Sequence, residues 1–159
     1  MAMRGIELVQ PYLQAAKDVI GRETGSEVTV GRVSLKKPPA STDEISILIG
    51  VTGEIQGVVM IVMNRQTALN IVSHITGETY AEFDELAQSA VAEMANVISG
   101  RGGIGLAAFG RETTISPPAV LVGSKGGGVS TLDIPIYALP LETSCGTVEL
   151  QVALKDAVQ

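Results

Sequence analysis

An α+β fold, a single layer of helices packed on a largely antiparallel β-sheet, is predicted by three features of the sequence. Apolar residues recur at helical spacing in three segments, and each is followed sooner or later by β-rich runs bounded by turn residues. Two of those runs, 44–51 and 55–63, are joined by Thr52-Gly53-Glu54 alone, a hairpin signal that makes neighbours antiparallel. After the third helical segment the chain is strand material to its end, at 119–122, 132–141 and 147–154, with turns at SKGGG and TSCG.

The totals bound the function. A chain of 159 residues is expected to form one domain, 1–159, large enough to bury a core. The composition is 45% hydrophobic but 3% aromatic, without Trp, so the core must come from Val, Ile, Leu, Ala and Met. A net charge of −6 argues against a nucleic-acid partner, since phosphate affinity rests on Lys and Arg. Lys36-Lys37 beside Pro38-Pro39 reads as a solvated loop. The apolar run 55–63 is too short to span a membrane, and MAMRGIELVQ lacks a signal-peptide core, which places the chain in the cytoplasm. One Cys, Cys145, and one His, His74, offer neither a disulfide nor a zinc site, and no cofactor or metal of the chain's own is expected.

In order along the chain, 5–22 is the first helix, with Ile6, Val9, Leu13, Ala16, Val19 and Ile20 on one face and Gly21 or Gly25 as its stop. Pro11 inside it predicts regular hydrogen bonding from about Gln10, or a kink. Residues 27–35 alternate imperfectly around Gly31, a strand with a bulge, and 36–43 is a loop. The hairpin runs are apolar on nearly every residue, so both faces of the sheet there should be covered. Asn64 or Thr67 caps a helix that carries His74 and stops at Gly77; with no acid or thiol beside it, His74 reads as a surface imidazole.

The third helix, 82–100, has the most informative polar side. At about 100° per residue, Phe83, Ala87, Ala90, Met94, Val97 and Ile98 share an apolar arc with Leu86 and Val91 at its margins. Ser89, Glu93 and Asn96, at i, i+4 and i+7, form one stripe along that arc. Asn is a mediocre helix former, so Asn96 asks for a reason, although a plain solvated side one turn before a Gly100 stop also fits. In GRGGIGLAAFG, 100–110, Gly100, Gly102 and Gly105 satisfy G-x-G-x-x-G. That motif cradles a nucleotide only where it follows a strand and opens a helix, and here it follows a helix. The segment is therefore read as a helix stop and then a short helical turn over 106–109. Lys125-Gly126-Gly127-Gly128 lacks the Walker spacing and reads as a hairpin tip.

Ser89-x-x-x-Glu93-x-x-Asn96, followed by Ile115-Ser116-Pro117-Pro118, resembles the CheC/CheX family of response-regulator phosphatases, and the order of elements agrees. A single E-x-x-N motif is similar to the CheX branch; 8–16, where a first copy would lie, has none. The resemblance implies a CheC/CheX-like fold and hydrolysis of the aspartyl phosphate of a CheY-like response regulator. It also implies that Asn96 positions the attacking water and Glu93 docks on the regulator's lysine. Any Mg2+ would belong to the regulator's acidic pocket, and the relatives' homodimers imply one here, with the edges of the late strands 132–141 and 147–154 as the expected seam. Ser89 matches a polar position of the family motif but has no base in reach to make it a nucleophile. The rival expectation is a noncatalytic module that binds a response regulator or a flagellar-switch partner with the same helix.

Overall fold

The computed structural model describes residues 2–123, 127–129 and 133–157. Helix α1, Ile6–Thr24, is followed by strands β1 (Thr29–Val30), β2 (Ser34–Lys36) and β3 (Ala40–Ser41), then the long hairpin β4 (Ile45–Gly53) and β5 (Ile55–Met63). Helices α2, Arg65–Thr76, and α3, Glu85–Ala107, come next. Strands β6 (Thr113–Ile115), β7 (Ala119–Val122), β8 (Gly128–Val129), β9 (Ile136–Thr143) and β10 (Gly146–Asp156) complete the chain. The main sheet has the order β1-β9-β10-β5-β4-β6, with β2 also on β9 and β7 also on β4, and its pairings are antiparallel. This is the predicted fold class.

The three helices lie on one face of that sheet. Ile45, Ile47, Ile49 and Val51 of β4, and Val148, Leu150 and Val152 of β10, join Tyr12, Ile20, Ile71, Val91 and Ile98 in one buried cluster. A smaller cluster of Ala40, Met60, Val62, Ile136 and Ala153 lies on the other side. There β3 pairs with β8, and Gln151, buried in β10, donates through Nε2 to the carbonyl of Ser41 at 2.8 Å. Both faces of the central strands are thus covered, as their unbroken apolar runs require.

Local chemistry accounts for the element ends. Asn64 caps α2 by accepting from the Thr67 N–H at 2.8 Å, and Gly77, at φ 77°, ends it. Gly25, not Gly21, ends α1 in a left-handed conformation. Of the two expectations for Pro11, the later start is corrected: α1 begins at Ile6, not near Gln10, and Pro11 lies in its interior, where it forfeits the N–H bond to the Glu7 carbonyl. Residues 27–35 do not make one bulged strand but two short ones, β1 and β2, that pair with successive parts of β9. Cys145 is buried in the β9–β10 hairpin turn, where burial raises its thiol pKa and its carbonyl accepts from Asn70.

Two further expectations are corrected. Strands β9 and β10 are not edges, since β10 lies between β9 and β5 and β9 between β10 and the β1/β2 pair, so neither offers an open seam to a second copy. The 132–141 strand begins at Ile136, and Leu132 and residues 124–126 of the SKGGG tip, 124–128, lie outside the described residues. Among the described residues no helix is long and apolar enough to cross a membrane.

Candidate functional site

Helix α3 is the element on which the candidate side chains sit. Asp84 caps it by accepting from the Ala87 N–H at 2.9 Å, and the Gln88 side chain donates to the carbonyl of Phe83 at 3.2 Å. The helix does not stop at Gly100. It continues through Gly100, Gly102, Gly103 and Gly105 to Ala107 and turns out only at Gly110, φ 79°, with the Arg111 N–H returning to the carbonyl of Leu106 at 3.1 Å. The same Arg111 pairs through Nε with buried Asp156 at 2.9 Å, tying the helix exit to the end of β10.

Gly102 and Gly105 survive inside a helix because α1 comes too close for side chains. A Cβ at Gly102 would overlap the Tyr12 ring of α1, and one at Gly105 would sit 2.6 Å from Cβ of Pro11. The packing energy of this close crossing replaces the helix propensity that glycine lacks. Tyr12 is wholly buried there, and burial pushes its phenol pKa upward.

Because α3 runs on and packs on both α1 and the sheet, its buried face is Ala87, Val91, Met94, Ala95, Ile98, Ser99, Gly102 and Leu106. This face is rotated from the expected arc: Val91 is central, Ala90 and Val97 are half-buried, and Leu86 is 69% exposed. Glu93 consequently lies near the middle of the wet side, with Ser89 exposed beside it and Asn96 half-buried at the margin. The structure does bring the three together as one stripe. Glu93 and Asn96 are about 4.5 Å apart along the axis. No hydrogen bond or ion pair to another described residue engages the side chain of Ser89, Glu93 or Asn96.

Grooves flank this stripe. On one side Glu93 lines a groove of about 340 Å³ whose floor includes Val19, Ile75 and Met94 and whose rim carries Arg22, Glu23 and Arg101. Neither arginine is in an ion pair with a described residue. The rim was missed in the sequence because Arg101, two turns beyond Glu93, falls on the same helix side only if the helix passes Gly100. On the other side, toward β6, lies a smaller cleft lined by Ser99, Gly100, Gly103, Ile104 and Thr113.

The other singled-out residues have structural surroundings. Ser116 accepts through Oγ from the Gly50 N–H at 2.8 Å and knits the break between β6 and β7 to β4. His74 is exposed in the last turn of α2. The G-x-G-x-x-G run is mid-helix, where its N–H groups are already committed to the helix, so it presents no phosphate cradle. No group of three or more His, Cys, Asp and Glu side chains among the described residues is arranged to hold a metal ion.

The family model described as chemotaxis phosphatase CheX matches residues 45–141, which include the whole of α3. The CheY-P phosphatase CheX of Thermotoga maritima is 34% identical over 119 residues, 73% of each chain. The crystal structure of a chemotaxis protein CheX from Desulfovibrio desulfuricans superposes with a TM-score of 0.83 at 25% identity, covering 93% of this chain and 99% of that one. A chain of the CheX–CheY–BeF3–Mg2+ complex from Borrelia burgdorferi superposes with a TM-score of 0.76 at 25% identity, covering 93% and 97%. With its family model spanning more than half its length and a relative of this identity, the chain belongs to the chemotaxis phosphatase CheX family.

Proposed function

We propose that this chain, acting as one CheX-like domain over 1–159, hydrolyses the aspartyl phosphate of a CheY-like response regulator, with Asn96 positioning the attacking water and Glu93 docking on the regulator's lysine. The observation that carries the reading is the stripe itself. Glu93 stands in the middle of the wet face of a rigid helix and Asn96 one turn on, and neither side chain is committed within the described residues. The family supplies the class of reaction, and a relative has been seen with CheY, beryllofluoride and Mg2+.

The chemistry suits these groups. In the reaction water oxygen bonds to phosphorus as the bond from phosphorus to the aspartyl oxygen breaks, leaving the regulator's carboxylate and inorganic phosphate. An acyl phosphate is already reactive, so the catalyst has mainly to hold water in line without adding negative charge near the phosphoryl oxygens. The Asn96 carboxamide accepts from and donates to water without ionising. Glu93, paired with a lysine of the regulator, sets the depth at which Asn96 enters. Mg2+ is expected to stay in the regulator's pocket.

Decay of phosphorylated regulator with substoichiometric chain tests this. Many turnovers per molecule are expected; protection, or an effect that saturates at one equivalent, would favour the noncatalytic binding module. The chain is also proposed to form a homodimer, with the seam moved from β9 and β10 to the β7 edge, where Leu121 and Val122 are 39% and 46% exposed. A monomeric mass by light scattering at micromolar concentration would remove that proposal.

A further inference from the structure

Gly100 has no internal reason to be glycine. At Gly102 and Gly105 a side chain would strike α1, and at Gly103 a Cβ would sit 3.1 Å from Oγ1 of Thr113. At Gly100 a Cβ would meet nothing within 4 Å. Mid-helix glycine costs up to about 1 kcal/mol relative to Ala, and here no packing inside the chain offsets it. Gly100 lies one turn beyond Asn96 and two beyond Glu93, on the same wet face of α3.

A second feature lies at the same place. Ser99 is wholly buried, its Oγ has no hydrogen-bond partner, and it lines the cleft of about 210 Å³ between α3 and β6 together with Gly100 and Gly103. A buried hydroxyl left unpaired is costly unless something supplies the missing bond. The cleft combines that hydroxyl and the polar groups of Thr113 and Glu112 with the aliphatic Ile104, Ala107 and Ile115. A polar centre between aliphatic walls, with no side chain at Gly100, matches a peptide unit flanked by its Cα atoms better than a bulky side chain. Ile104, 72% exposed one turn on, lines the same cleft.

Resting on the function proposed above, we propose that the Gly100 cleft seats a main-chain segment of the phosphorylated receiver, with the Ser99 hydroxyl, closed off in the free chain, turning outward to hydrogen-bond it. The occupant follows from continuity: a partner that takes Glu93 on its lysine and admits Asn96 to its phosphorylation pocket must lay its next turn of surface over Gly100. Any side chain there would hold the receiver away and keep the short Asn96 amide from its water. Gly100 and Ser99 are positioning residues, acting through the depth at which Asn96 arrives.

The test compares Gly100→Ala, Gly100→Leu and Ser99→Ala with the unmodified chain, using CheY-like receivers loaded with beryllofluoride and Mg2+ for affinity and phosphorylated receiver for turnover. Gly100→Ala should raise the thermal midpoint and yet raise KM about tenfold, with kcat less affected; Gly100→Leu should weaken binding by about a further tenfold while remaining folded. Ser99→Ala should also keep or raise the midpoint and weaken binding about threefold or more. A purely structural role predicts no change in KM for either Ala variant. If the unmodified chain turns over and Gly100→Leu binds and turns over equally well, the cleft proposal falls alone. If the unmodified chain neither binds nor turns over any such receiver, the functional reading falls and takes this one with it.

Discussion

The two halves of α3 solve opposite problems with the same backbone. The first half, Glu85 to Ile98, packs with ordinary apolar side chains such as Val91, Met94 and Ile98 and keeps polar groups on its outer side. The second half, from Ser99 to Ala107, is held by the absence of side chains, where Tyr12 and Pro11 of α1 fill the space that Gly102 and Gly105 leave open. One half builds an interface by adding atoms and the other by removing them. The difference teaches that glycine in a helix reports on the neighbour as readily as on the chain's own ending, and only the contact at each position decides which.

The comparison breaks most sharply at Gly102. Gly102→Val drives a β-branched side chain into the buried Tyr12 ring, and α1 cannot withdraw without opening its contact with the rest of α3. A loss of about 3 kcal/mol of stability is expected, at the upper end for overpacked cores, read from the urea midpoint at unchanged slope. A variant as stable as the parent would show that the close helix crossing is not what holds the second half in place.

Asn96→Ala tests the first half by the opposite signature. Turnover of phosphorylated regulator should fall about a hundredfold, the scale expected when a reacting group loses its positioning. Regulator binding should hold, and the midpoint should stay or rise, since Ala is the better helix former and Asn96 makes no side-chain hydrogen bond to a described residue. Glu93→Ala comes next, with about a tenfold loss shared between affinity and rate. Raised salt should reproduce part of that loss in the unmodified chain, because the Glu93 carboxylate is exposed and screened. Unfolding of the Glu93 variant would contradict its place in the middle of the wet face.

Much of the fold was legible because its signals are local. The hairpin of β4 and β5 follows from two apolar runs and a three-residue turn, and the Asn64 cap and Gly77 stop bracket α2 as residue chemistry demands. The stripe on α3 was legible because it depends only on helical period. What was not legible depends on partners distant in sequence. The end of α3 was placed at Gly100 because glycine usually ends helices, and only the Tyr12 ring, some ninety residues earlier, shows why Gly102 continues one. The short strand β6 and the interior positions of β9 and β10 likewise depend on which strand lies beside them. Arg101, on the rim of the groove at Glu93, vanished from view with the second half of the helix.

The smallest expected effect sharpens where the working part of α3 begins. Ser89 shares the stripe, one turn before Glu93, and is exposed, with no hydrogen bond from its hydroxyl to a described residue. No general base among the described residues pairs with its hydroxyl, so it has no means of acting as a nucleophile. If the docking surface starts at Glu93 and runs toward the glycine-rich half, Ser89 lies outside it. Ser89→Ala should then change turnover by less than about twofold and raise stability by about half a kcal/mol at most, through helix propensity alone. The measurement is the same decay of phosphorylated regulator, set beside the Asn96 variant at equal concentrations. A loss approaching that of Asn96→Ala would move the reacting centre a turn toward the cap at Asp84. It would also lift Gly100 out of the partner's reach, because about 16 Å of helix separates it from Ser89.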